Sequence, residues 1–112
     1  MPGIWDLQAT LTEQQTVRLT WDYGPCTPAG ECEPGWQMPA RVAITRATCP
    51  ERPASCAVAD ISFKLLTELL ASETAWNDTS VESGKEYIYR LNVFSKEGVP
   101  HPVPVLTRIR VP

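Results

Sequence analysis

The stretch Glu86-Tyr-Ile-Tyr-Arg-Leu-Asn-Val-Phe-Ser-Lys-Glu-Gly98 decides the fold. Tyr87, Tyr89, Leu91 and Val93 alternate with Ile88, Arg90, Asn92 and Phe94. A period of two in aromatic and branched residues marks a strand with one face on a core. Turn-forming residues close it on both sides, Ser83-Gly84 before and Lys96-Glu97-Gly98 after.

Working outward, the same period recurs. Ile4–Leu11 and Thr16–Asp22 read as two strands joined by a polar turn, the second putting Val17, Leu19 and Trp21 on one face. Arg41–Thr48 follows, with Val42 and Ile44 inward. Val105–Val111 closes the chain, with Val105, Thr107, Ile109 and Val111 inward and Leu106, Arg108 and Arg110 outward. Ile61–Leu70 fits two periods: Ile61, Leu65, Leu66, Leu69 and Leu70 make a helical face, while Ile61, Phe63 and Leu65 make a strand. Thr74–Val81 completes the set, with Trp76 inward.

These runs together resemble a fibronectin type III domain. Tyr87, Tyr89, Arg90, Leu91, Val93, Ser95 and Gly98 stand in the order and spacing of its F strand. Leu7 and Ala9, then Val17, Leu19, Trp21 and Asp22, are similar to strands A and B, and Arg46 stands where an arginine often ends strand C. Asp78 stands where bacterial members often carry an aspartate in strand E. The resemblance implies an all-β, seven-stranded antiparallel immunoglobulin-like sandwich, and it places a strand at Ile61–Leu70, where the residues alone also fit a helical turn near Thr67–Ala71. It makes Trp21, Tyr87, Tyr89 and Leu91 core residues, with Tyr87 in the tyrosine corner, where its hydroxyl bonds back to nearby backbone.

The bounds agree with one such domain over residues 1–112, its core spanning about 4–111. A chain of 112 residues supports a single core. Eleven prolines disfavour long helices and suit a β protein rich in turns. A net charge of −3 gives no general attraction to nucleic acid or anionic membrane. No apolar run approaches the roughly 20 residues a membrane span needs, so a membrane is met only through an anchor outside this chain. Met-Pro-Gly-Ile-Trp-Asp at the start has neither a basic nor an apolar signal region. Four cysteines nonetheless suggest an oxidising compartment. The expectation is a domain cut from a longer exported protein, periplasmic, cell-surface or extracellular, with a bacterial surface protein or lipoprotein as parent.

Cys26, Cys32, Cys49 and Cys56 lack the Cys-x-x-Cys knuckles of a zinc site. Four cysteines allow three disulfide connectivities. In the topology implied by the resemblance, Cys26 and Cys32 lie before strand C, Cys49 and Cys56 after it. Those loops are roughly 26 Å apart at ~3.3 Å per residue, and a disulfide needs Cα atoms within about 7 Å. Cys26–Cys32 and Cys49–Cys56 are therefore the expected pairs.

No catalytic constellation is legible. The one histidine, His101, lies between two prolines with no partner at motif spacing. No phosphate loop, nucleophile elbow or paired-carboxylate motif occurs, and neither a metal nor a cofactor is expected. Trp36, in a long Pro- and Gly-rich loop, either covers the open end of the sandwich or offers a loop contact.

One face is chemically distinctive. If the C, F and G strands share a sheet, Arg41, Arg90, Arg108 and Arg110 point outward with Thr45, Asn92 and Phe94. No carboxylate is expected among them. Arginine stems often serve only to solvate a sheet; the sharper reading is a surface for an anionic protein or polysaccharide, with Phe94 as a ring for arginine to stack on. The function expected is a non-catalytic spacer or protein-interaction module, monomeric by itself. The rival is an accessory, polysaccharide-contacting domain of a secreted hydrolase. A lipobox cysteine upstream would favour the first, a glycosidase domain alongside the second.

Overall fold

The computed structural model describes residues 4–24, 30, 38–49, 62–101 and 104–112. Seven strands follow in order: β1 Ile4–Leu11, β2 Val17–Tyr23, β3 Arg41–Thr48, β4 Lys64–Leu70, β5 Ala75–Asp78, β6 Glu86–Phe94 and β7 Val105–Arg110. They form two antiparallel sheets, one in the order β1-β2-β5 and the other β4-β3-β6-β7. No helix occurs among the described residues.

The core lies between the sheets, where each strand delivers alternate residues. Val17, Leu19 and Trp21 from β2 meet Val42 and Ile44 from β3, and Tyr87, Tyr89, Leu91 and Val93 from β6. Val111 closes one end, and Leu7, Leu66, Leu69, Trp76, Val105 and Ile109 pack around the rim. The Trp21 indole N–H donates to the Tyr23 hydroxyl at 3.0 Å, so its one polar atom is satisfied.

Strand β6 is central because it pairs on both sides. With β3 it runs in register from Arg41↔Phe94 to Thr48↔Tyr87, and with β7 from Glu86↔Arg110 to Leu91↔Val105. It ends where Gly98 takes φ +82° and its N–H donates to the Ser95 carbonyl at 2.9 Å. The left-handed conformation is one that glycine adopts without a Cβ penalty. In β1 the pairing shifts between Trp5 and Gln8, where Asp6 sits at φ 55°. Aspartate tolerates that region better than most residues, so it can carry the bulge.

The segment before residue 71 is a strand, as the resemblance implied, but its inward residues differ from the alternation Ile61, Phe63, Leu65. A bulge opposite Ile44 and Thr45 shifts the pairing of β4, so Leu66 and Leu69 pack on the core while Leu65 is 55% exposed. Phe63 precedes the strand and packs against Ile88 and Cys49 on the other side of the sheet. Ile61 lies outside the described residues.

Candidate functional site

Tyr87 and Tyr89 are both buried on β6, their ring centroids 6.5 Å apart. The Tyr87 hydroxyl accepts the Glu82 backbone N–H at 2.8 Å, five residues upstream, which is the geometry of a tyrosine corner. The Tyr89 hydroxyl donates to Asp78 at 2.6 Å.

Asp78 is the one buried charged residue among those described, 1% exposed at the end of β5. Its Oδ2 also accepts from Arg46 of β3 at 2.7 Å, and its Oδ1 from the Ser80 hydroxyl and backbone N–H at 2.6 and 3.0 Å. Arg46 lies over the Tyr87 ring at 4.7 Å. Burial pushes the Asp78 pKa up, yet the hydrogen bonds from Ser80, Tyr89 and Arg46 outweigh it and hold the carboxyl below its ordinary value. Burial and the bond to Asp78 raise the Tyr89 phenol in turn. These groups tie β5 of one sheet to β3 and β6 of the other.

The outer face of the four-stranded sheet is the candidate site. Across β3, β6 and β7 the register groups its residues into rows: Arg41 beside Phe94, Ala43 beside Asn92, Thr45 beside Arg90 and Leu106, and Ala47 beside Ile88 and Arg108. Arg90 and Arg108 thus share a face. The Arg41 guanidinium lies over the Phe94 ring at 4.8 Å, and that of Arg90 over Phe63 at 4.2 Å. Arg90 Nε also donates to the Thr45 hydroxyl at 3.3 Å.

One expectation needs correcting: the face is not free of carboxylates. Glu86 has the same strand parity as Ile88 and Arg90, and its carboxylate meets Arg108 Nε at 3.4 Å. Glu68 of β4, opposite Ala43, also lies outward. Strand β4 adds the apolar side chains Leu65 and Leu70, the latter 71% exposed. Phe63, Glu68, Glu86, Leu65 and Leu70 were absent from the sequence reading of this face. Parity alone would have shown Glu86; the bulge hid Leu65.

Trp36, Cys26, Cys32 and Cys56 lie outside the described residues. Cys49 is buried at the end of β3, and no free thiol occurs among the described residues. The His101 N–H donates to the Val93 carbonyl at 2.9 Å, extending the turn after β6. No group of three or more His, Cys, Asp or Glu among the described residues is placed to hold a metal ion.

No family model and no curated protein matches the sequence. Among solved structures, an Fn3-like protein from Clostridium thermocellum superposes with a TM-score of 0.62 at 18% identity, over 96% of this chain and 88% of that one. The chain has a fibronectin type III-like fold. The twitchin kinase region of C. elegans, which includes an Fn3 domain, matches this Fn3-like domain with a TM-score of 0.57 at 15% identity, over 92% of this chain and 15% of its own. Pectate lyase Pel3 from Pectobacterium carotovorum matches at TM-score 0.62 and 14% identity, over 95% of the Fn3-like chain and 26% of the lyase. The Fn3-like chain spans about a quarter of the length of the pectate lyases it matches. At such identities the likeness is one of fold.

Proposed function

We propose that the chain is a non-catalytic module of a larger exported protein, acting as a spacer or as a protein-interaction domain. The observation that carries this reading is the contrast in coverage. The same sandwich accounts for 88% of an Fn3-like protein, but for 26% of a pectate lyase and 15% of a kinase region. A fold that recurs as one part of chains with unrelated activities is better understood as an attachment to the chemistry than as its seat. Four cysteines and the bacterial neighbours support export.

Exchange of the module within its parent protein, for an unrelated sandwich of similar length, tests the reading. A parent that keeps all its properties identifies a spacer. Loss of partner binding alone identifies an interaction domain. Loss of catalytic turnover with the rest of the parent folded would end the non-catalytic reading.

A second reading has its own support. Pectate lyase PelI from Erwinia chrysanthemi, solved in complex with tetragalacturonic acid, matches over 90% of this chain with a TM-score of 0.56 and 19% identity. The chain would then be an accessory domain that contacts a polysaccharide beside a polysaccharide-degrading enzyme.

A further inference from the structure

We propose that the outer face of the four-stranded sheet, through Arg41, Arg90, Arg108 and Arg110, binds a linear polysaccharide bearing carboxylates. This rests on the second reading above and names its surface and ligand class.

Sign is the first support. The four arginines face two glutamates, Glu68 and Glu86, so the described part of the face carries +2 in a chain of net charge −3. Residue type is the second. Every outward cation on β3, β6 and β7 is an arginine, whose planar fork matches a carboxylate with two parallel hydrogen bonds where lysine offers a point charge.

Preorganisation is the third. Phe94 and Phe63 each lie under a guanidinium carbon, at 4.8 and 4.2 Å, and Thr45 fixes Arg90 further. A guanidinium held over a ring keeps N–H groups for a carboxylate, and less rotamer freedom is lost on binding. Extent is the fourth. From the row of Phe94 to the row of Glu86 there are eight residue steps on β6, about 27 Å at ~3.4 Å per residue. The arginines are spread over that length around a centre where Ala43, Ala47 and Ile88 are buried, and such a spread suits a polymer with repeated charges better than a single small anion. Leu65, Leu70 and Leu106, all exposed, provide apolar ground for the C–H faces of sugar rings.

Glu86 works against the ligand. It bonds Arg108 and lies opposite Arg110 in register, so it lowers the positive potential at that end. This gives the proposal a test in both directions.

The probe is polygalacturonate, titrated into the 112-residue chain and compared with its methyl-esterified form, a neutral glucan and polyglutamate. The expected result is binding to polygalacturonate alone, weakening by about tenfold or more between low salt and about 0.15 M. Arg41→Ser with Arg110→Ser should lose at least about tenfold more, and Arg41→Lys with Arg110→Lys should fall between. Glu86→Gln should tighten binding. Arg18→Ser, on the other sheet, should change nothing, which separates a defined face from net charge. Circular dichroism confirms that each variant is folded. Equal binding by the Arg41/Arg110 variant, equal loss on Arg18→Ser, or no binding at all would overturn the proposal. Equal binding to polyglutamate would also overturn it and turn the face toward an acidic protein. The module-exchange experiment reads the broader function separately, through the parent's turnover and partners, so either can fail alone.

Discussion

Asp78 accepts hydrogen bonds from Arg46, Tyr89 and twice from Ser80 while lying 1% exposed. A buried carboxylate is tolerable only with such partners, and removing one side of the pair leaves the other uncompensated. Asp78→Ala should therefore cost about 3 kcal/mol, the low end for breaking a buried pair because Arg46 keeps 16% of its side chain in water. Tyr89→Phe removes a bond to a charged group and should cost about 1.5–3 kcal/mol. Since Asp78 is held below its ordinary value of 3.8, the folded state binds its proton less readily than the unfolded chain. Its contribution is then complete above that value and disappears as pH falls through the lower folded pKa. Urea unfolding midpoints measured down through this range should decline less steeply in Asp78→Asn than in the native chain. Parallel curves would show that other carboxylates govern acid stability. Trp21→Ala should cost about 3–5 kcal/mol, as for other buried aromatics. A loss near zero in the same unfolding measurement would remove Trp21 from the core.

Tyr87 shows how an element end is fixed: its hydroxyl takes the Glu82 N–H and so anchors the approach to β6. Tyr87→Phe should cost about 1 kcal/mol in a denaturant titration, with any binding by the outer face retained, because the lost bond lies on the core side. The expected disulfide pairing belongs to the same scale. A non-reducing peptide map should yield Cys26–Cys32 and Cys49–Cys56; a Cys32–Cys49 peptide would show that β3 does not separate the two loops. Two strands have the limits that the sequence reading placed, Ile4–Leu11 and Arg41–Thr48. Strand β4 was only half legible. Leucines at 65, 66, 69 and 70 satisfy both helical and strand periods, and the bulge opposite Ile44 and Thr45 breaks the alternation, so that Leu65 and Thr67, two residues apart, fall on opposite faces. No period encodes a bulge. On the candidate face the arginines followed from parity alone, whereas Phe63, which lies outside any strand, needed the tertiary structure to appear beneath Arg90.

At the scale of the whole molecule, neither sheet has a reason to persist without the other. Each buries only its inward face, and those faces form one core in which β2 residues meet β3 and β6 residues. Trp21 buries roughly 150–250 Å2 on folding, about 4–6 kcal/mol at ~25 cal/mol per Å2, and a share of this would be lost if the opposing sheet were to leave. The full figure is a large share of the ~5–15 kcal/mol that holds a domain folded. Asp78 adds a polar tie, since separating the sheets would part it from Arg46 and Tyr89 together. Partial opening into two sheets is thus disfavoured by both terms, and unfolding should be all-or-none. Native-state hydrogen exchange tests this directly. The amides of Leu19 in β2 and Leu91 in β6 should exchange with the same free energy, equal to that from denaturant unfolding. Trp21→Ala should lower both by the same amount, although the substitution sits in one sheet only. If Leu19 exchanged at distinctly lower free energy while Leu91 stayed protected, the three-stranded sheet would be opening by itself. The core and the Asp78 tie would then be too weak to couple the two layers.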